Sequence, residues 1–216
     1  VVDMILALPK AQSVLLKNYD YLLAPDNEEL DKLGLRESML FAPDLRDHAE
    51  KFIATALKGD KYLAAHCRRT DFLRAREKTT PDVSNIAMKL NELLEQEGLK
   101  QVFIATDAPG DLRAELQKQV MAPVIFYDAD HGAVEFDHKG KQAIVETWIA
   151  ARADFFIGTI ESRFTMSIQL ERSFLGKLQA SSQQEFCKEY KAGAKPCLAP
   201  SYRHIPRRGA HREMYS

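Results

Sequence analysis

The chain has 216 residues, 45% of them hydrophobic, which is enough apolar material for a folded core and excludes disordered, collagen-like and coiled-coil architectures. Lys+Arg number 30 against 31 Asp+Glu, and the resulting net charge of -1 argues against a dedicated nucleic-acid binder. No apolar run approaches the ~20 residues of a membrane span. The opening Val1-Val2-Asp3 is neither an initiator Met nor a basic-then-apolar leader, so the sequence is expected to be the later part of a longer chain.

In chain order, Ser13-Val14-Leu15-Leu16 is a candidate strand and Pro43 to Leu57 an amphipathic helix. Lys61 to His66 predicts a short buried strand. Thr80-Pro81 predicts a helix start, with Pro suited to the first turn. Val83, Ile86, Ala87, Leu90, Leu93 and Leu94 keep one apolar face, and Gly98 ends the helix. Gln101 to Thr106 is the next strand, and Pro109 opens a helix carrying Leu112, Leu116 and Val120. Pro123 to Tyr127 is a third strand. Lys139 to Ala151 forms a helix through Ile144, Val145, Trp148 and Ile149. Asp154 to Gly158 is a fourth strand, with a helix from Ser162 to Ser173 behind it. This alternation predicts an α/β fold, a Rossmann-like parallel sheet with helices on both faces. Ligands of such sheets bind beyond the carboxyl ends of the strands. Ser201 to Ser216 holds Arg203, Arg207, Arg208 and Arg212 and little apolar material, the pattern of a solvated, disordered basic tail.

Chemistry is therefore sought after His66, Thr106, Tyr127 and Gly158. The sharpest feature is His66-Cys67-Arg68-Arg69-Thr70-Asp71 at the first strand's end. Two adjacent arginines leaving a strand point in different directions, so one reaches into the crevice while the other folds back. A guanidinium suits bidentate contact with phosphate oxygens. Asp71 is placed to hold one of them, and His66 to donate to an oxygen; the alternative is a surface Arg–Asp pair. Cys67, in an apolar strand, reads as a buried thiol rather than a nucleophile.

Gly158-Thr159-Ile160-Glu161-Ser162-Arg163-Phe164 opens a helix after the fourth strand. Its free amides and hydroxyls form either an anion site or an ordinary N-cap by Thr159 or Ser162. Glu146, on the preceding helix, either accepts the N1–H and N2–H2 edge of a guanine or is a solvated helix acid. Asp107, after the second strand, either caps the following turn or faces the ligand. Asp128-Ala129-Asp130-His131, near Asp137 and His138, resembles a metal-binding cluster without helix-face spacing, and no metal is expected. Phosphate-loop, dinucleotide and nucleophile-elbow motifs are missing from the sequence. Cys187 and Cys197 flank a polar stretch; they are either bridged, closing a short loop worth about 3 kcal/mol, or two free thiols.

The segments YLAAHCRRTDF, QVFIATDA, IVETWIAARADFFIGTIESRF and FCKEYKAGAKPC, with RESMLFA at 36–42, resemble the donor-binding half of GDP-fucose protein O-fucosyltransferases, over about Gln12 to Cys197. The likeness is greatest to the branch that modifies thrombospondin type 1 repeats. It implies the carboxyl-terminal domain of a GT-B glycosyltransferase, two Rossmann-like domains facing a cleft. Residues 1–59 would then be the end of the first domain and the interdomain segment, 60–200 the GDP-fucose-binding domain, and 201–216 the tail.

The same resemblance implies that His66, Cys67, Arg68 and Asp71 form the diphosphate and fucose site. Arg68 would stabilise the charge that develops on GDP as the fucose bond breaks, without a metal or other cofactor. Glu146 falls where the family has an Asp that reads guanine, and Ser162, Arg163 and Phe164 fall on a phosphate-binding Ser-Thr-Phe stretch. Cys187 and Cys197 match a family disulfide, implying an oxidising compartment, the lumen of the endoplasmic reticulum. The implied partners are GDP-fucose and folded thrombospondin type 1 repeat proteins, with no nucleic acid and no membrane span. The implied reaction is inverting transfer of fucose to Ser/Thr hydroxyls. The family's general base lies in the first domain, so this chain alone is expected to be inactive. Glu146 and Arg163 depart from the family pattern and favour one alternative, a non-catalytic nucleotide- or protein-binding relative. The RRTD spelling favours another, an α1,6-type fucosyltransferase acting on a glycan.

Overall fold

The computed structural model describes residues 40–136, 138–182, 184–188 and 197–198. The candidate strand at Ser13–Leu16, most of RESMLFA and the basic tail lie outside the described residues, as does the side chain of Cys197. One compact unit begins at Pro43.

Its elements, in order, are α1 (Pro43–Ala56), β1 (Leu63–Cys67), α2 (Phe72–Ala75), α3 (Val83–Gln96), β2 (Val102–Thr106), α4 (Gly110–Gln119), β3 (Val124–Ile125), α5 (Lys139–Arg152), β4 (Phe155–Thr159), α6 (Arg163–Phe174), β5 (Gln184–Phe186) and β6 (Cys197–Leu198). Each of the four strands predicted from sequence is present. Helix α3 starts later than Thr80-Pro81 because Asp82 is the cap, its carboxylate accepting the Asn85 amide at 2.7 Å. β5 went unpredicted, since Gln184-Glu185-Phe186 has no apolar run to betray it.

The strands form one sheet in the order β3-β2-β1-β4-β5-β6. All neighbours are parallel except β5 and β6. Every residue of β1 and β4 is buried, as expected of strands covered on both faces. Alternation divides the side chains between those faces. Leu63, Ala65 and Cys67 of β1 join Val102, Ile104, Phe155 and Ile157 against α3 and the Leu116–Val120 end of α4. The intervening residues turn to the other layer, where Phe52 of α1 meets the Phe103 ring at 6.1 Å and the Tyr62 hydroxyl donates to the Ile149 carbonyl of α5 at 2.6 Å.

α1 is bound to α5 by Glu50, which accepts the Trp148 indole N–H at 2.8 Å and pairs with Arg152 at 2.9 Å. Arg172 of α6 is fully buried and donates to the carbonyls of Ala150, Ala151 and Ala153, where α5 ends. A cation on those orphan carbonyls satisfies the helix terminus, with Lys177 donating to the Arg152 carbonyl beside it. No helix among the described residues is long and apolar enough to cross a membrane.

The chain lays β1, β2 and β3 outward in one direction and then returns to place β4 and β5 on the other side of β1. β1 and β4 are therefore neighbours whose onward connections diverge. The crevice of a doubly wound sheet opens at that switch point.

Candidate functional site

Two of the segments singled out from sequence meet at this point. His66 pairs in register with Gly158, and the residues following them line the carboxyl edge of the switch. The His66 ring is buried in the α5/α6 layer, with Nδ1 2.8 Å from Thr165 Oγ1 and its ring centre 4.7 Å from that of Phe164. Burial drives its pKa down to about 3, opposed by the Asp107 charge and helped by the neighbouring Arg68 cation, so the imidazole is neutral at physiological pH. Nε2 has no hydrogen-bond partner among the described residues. Thr165 approaches this closely only because residue 158 is glycine: a Cβ there would lie 2.2 Å from Thr165 Cγ2.

Arg68 leaves the end of β1 beside β4. Its amide donates to Thr159 Oγ1 at 2.9 Å, and that hydroxyl donates onward to the His66 carbonyl at 2.9 Å. The side chain is part-exposed, with Nε gripped by Asp71 Oδ1 at 2.7 Å and Asp107 Oδ2 at 3.3 Å. Its hydrogen bond to Asp71 raises the Arg68 pKa and lowers that of Asp71, so both stay charged. The terminal NH2 groups of Arg68 make no hydrogen bond to any described residue. Arg69 is the arginine that folds back: it is buried and donates to the Pro81 carbonyl ahead of α3.

Ser162 occupies the N-cap of α6, buried and without a side-chain cap bond, three residues after Thr159. The Thr159 hydroxyl, offered by the sequence as a possible cap, serves the β1 backbone instead. Glu161 turns the chain with φ of +59°, sparsely populated for a non-glycine residue, and pairs with Arg76 at 2.8 Å. Arg163 is exposed on the first turn of α6 and Phe164 is half-buried against His66.

The remaining predicted residues lie elsewhere. The Cys67 thiol is buried on the α3/α4 face, opposite to His66, and burial raises its pKa to about 12; its side chain is inert and turned away from the crevice. Glu146 is half-buried on α5, accepting from Gln142 at 2.8 Å. Burial raises its pKa to about 7, opposed by that bond and by the Arg113 charge. Arg113, which sequence reading passed over, donates to the carbonyls of Thr106 and Ala108, so Glu146 sits toward the carboxyl end of β2. Asp128 and His131 pair at 2.8 Å within one short turn, and no group of three metal-ligating side chains occurs among the described residues. Cys187 follows β5 and is disulfide-bonded.

Two further residues had no signal in the sequence. Thr165 was one helix hydroxyl among several until its contact with His66 was known. Glu185, in register with Gly158, is buried with Oε2 unpartnered, and burial raises its pKa to about 7.

The fold matches part of the crystal structure of POFUT1 in complex with GDP-fucose, with a TM-score of 0.50 and 17% sequence identity over 65% of this chain and 45% of that one. This likeness supports the GT-B type of fold expected from the sequence. Among proteins similar in sequence, GDP-fucose protein O-fucosyltransferase 2 of Plasmodium falciparum is 30% identical over 178 residues, 81% of this chain and 37% of that protein. The Drosophila melanogaster protein of that name is 38% identical over 133 residues, 61% of this chain and 27% of its own length. The Homo sapiens protein is 28% identical over 227 residues, covering 94% of this chain and 52% of that protein. The chain thus spans between about a quarter and a half of these relatives. The family profile described as GDP-fucose protein O-fucosyltransferase matches residues 7–175. With that match running from before the described residues through all of α6, the chain belongs to the GDP-fucose protein O-fucosyltransferase family.

Proposed function

We propose that this chain binds GDP-fucose and supports inverting transfer of fucose to Ser/Thr hydroxyls of folded thrombospondin type 1 repeats. The observation that carries the reading is Arg68 at the switch point. Its Nε is held by two carboxylates, its terminal NH2 groups have no hydrogen bond among the described residues, and α6, whose N-cap Ser162 makes no side-chain cap bond, starts just after the neighbouring β4. Such an arrangement receives an anion. Helix amides and the Ser162 hydroxyl supply neutral donors, and the guanidinium supplies a charge that does not titrate.

As the acceptor hydroxyl attacks C1 of fucose, the C1–O bond breaks and its electron pair moves to the diphosphate. Arg68 stabilises that developing charge, with no metal needed for the purpose. Neutral His66 offers Nε2 to an oxygen of the donor without adding charge. Glu146 is the residue assigned to guanine, reading N1–H and N2–H2 in its ionised form. The proton of the acceptor hydroxyl passes to a general base expected from the first domain, since no described residue is assigned that role. We further propose that Cys187 pairs with Cys197, consistent with Cys197 lying on β6, the hydrogen-bonded neighbour of β5, which Cys187 directly follows, and that the protein works in the lumen of the endoplasmic reticulum.

The test is thermal unfolding of the chain with GDP and with UDP, alongside Arg68→Ala. A ligand that binds only the native state must raise the transition. A rise with GDP but not UDP, lost in the variant, is the expected result; indifference to GDP overturns the donor reading. Transfer from labelled GDP-fucose to a folded thrombospondin repeat, with chelator present, then tests the acceptor class and metal independence. A site that binds GDP without any turnover in the full-length protein supports the non-catalytic alternative.

A further inference from the structure

Asp107 neither caps α4 nor stands free at the end of β2. The N-cap position of α4 is Pro109, without a side-chain cap bond. The Asp107 carboxylate instead reaches across to the turn that follows β1. Oδ1 accepts the Arg69 amide at 2.7 Å, and Oδ2 accepts the Thr70 hydroxyl and lies 3.3 Å from Arg68 Nε. Three consecutive residues of the turn converge on one carboxylate carried by the neighbouring strand.

That convergence has a directional consequence. A guanidinium is a rigid planar fork, so fixing its Nε edge fixes where the terminal NH2 groups point. Asp71 also holds Nε, but it belongs to the same turn, is 55% exposed, and moves with Arg68. Asp107 is 24% exposed and anchored on β2, whose register with β1 runs from Leu63–Val102 to Cys67–Thr106. It therefore refers the guanidinium to the sheet and not only to its own loop.

We propose that Asp107 is a positioning residue that aims Arg68 at the phosphate nearer the sugar of a guanosine-diphosphate donor; this rests on the donor-binding reading above. Asp107 does not touch the nucleotide. Its charge is taken up by Arg68 and by three donors of the turn, the Arg69 amide and the amide and hydroxyl of Thr70, so it does not repel the diphosphate.

The experiment is calorimetric titration of GDP and GMP into the wild-type chain, Asp107→Ala, Asp107→Asn, Arg68→Ala and the Arg68→Ala/Asp107→Ala double variant. Loss of a charge-assisted interaction predicts that Asp107→Ala weakens GDP by on the order of ten-fold or more while GMP changes little. In the Arg68→Ala background the same change has no further effect on GDP, because nothing is left to aim. Asp107→Asn keeps an acceptor for the Arg69 amide while losing the negative charge that holds the Arg68 guanidinium, so it shows the same GDP-selective loss, smaller in size, and decides the matter should Asp107→Ala fail to fold. Equal weakening of GDP and GMP, an unchanged ratio in both Asp107 variants, or additive losses in the double variant would overturn the inference. A wild-type chain that does not bind GDP overturns the donor reading itself, and this inference with it.

Discussion

The Nδ1 atom of His66 and the hydroxyl of Thr165 lie 2.8 Å apart, joining the end of β1 to the first turn of α6 across 99 residues of sequence. With its pKa lowered to about 3 by burial, folded His66 refuses a proton that the unfolded chain accepts below its ordinary value of 6.5. The contribution is fully present above pH 6.5 and is lost as pH falls from there toward 3. His66→Gln is expected to flatten that part of the acid limb in urea unfolding from pH 7 to 4. Thr165→Val, which strands the buried ring nitrogen, is expected to destabilise by about 1–3 kcal/mol at pH 7.

Glu185 carries the opposite sign. Its folded pKa is raised to about 7, so the folded state holds a proton between 4.5 and 7 that the unfolded state has released, and stability falls as pH rises through that window. Glu185→Gln removes this dependence. The variant is expected to gain on wild type by about 1–3 kcal/mol between pH 4.5 and 7.5. Parallel denaturation curves at the two pH values check it, and an unchanged difference would count against a buried, unpartnered carboxylate here.

Gly158→Ala puts a methyl group where Thr165 Cγ2 stands, at 2.2 Å. The neighbour is a β-branched residue in the first turn of a helix, so relief requires moving α6. A loss of about 1–3 kcal/mol is expected from overpacking, together with weaker GDP binding. Thr165→Ala in the same chain is expected to recover part of the stability, since it removes both clashing atoms, without recovering the His66 contact.

Arg172 is held by buried carbonyls on α5 and by Ser182 Oγ at 2.8 Å, and burial lowers its pKa to about 10. Arg172→Ala leaves those carbonyls unpaired and is expected to cost about 3–5 kcal/mol. Lys cannot reproduce a fork that reaches Ala150, Ala151 and Ala153 together, so Arg172→Lys is expected to recover little of it. Thermal unfolding separates this structural arginine from Arg68, whose loss is expected to affect GDP binding far more than the melting temperature.

The architecture was largely legible because short apolar runs bounded by Pro, Gly and polar residues mark buried parallel strands, and four such runs alternate with amphipathic stretches. The strand order alone also yields the edge where a ligand is expected, beyond the carboxyl ends of the strands. Spatial partners were not legible. Asp107 offers the sequence only its position after a strand, where capping is the commoner role, yet its carboxylate crosses to another strand's turn. Cys67 and His66 are adjacent in sequence and, by the two-residue period of a strand, face opposite layers; the period says they separate but not which side carries the ligand. β5 escaped notice because a three-residue strand with two polar members shows no period.

The end of β1 is pinned on both flanks by side chains of its neighbours. Thr159 bridges the Arg68 amide and the His66 carbonyl on one side, while Thr106 donates to the Cys67 carbonyl and Asp107 accepts the Arg69 amide on the other. Where two strands part, the last peptide groups ordinarily fall to solvent. Here their partners are supplied without narrowing the opening. The loop proposed to receive the diphosphate is thus held by these bonds before any ligand arrives, and its conformational entropy is surrendered during folding and not on association. In hydrogen exchange the amides of Arg68 and Arg69, though beyond the last strand residue, are expected to be protected as strongly as those within β1 even without nucleotide.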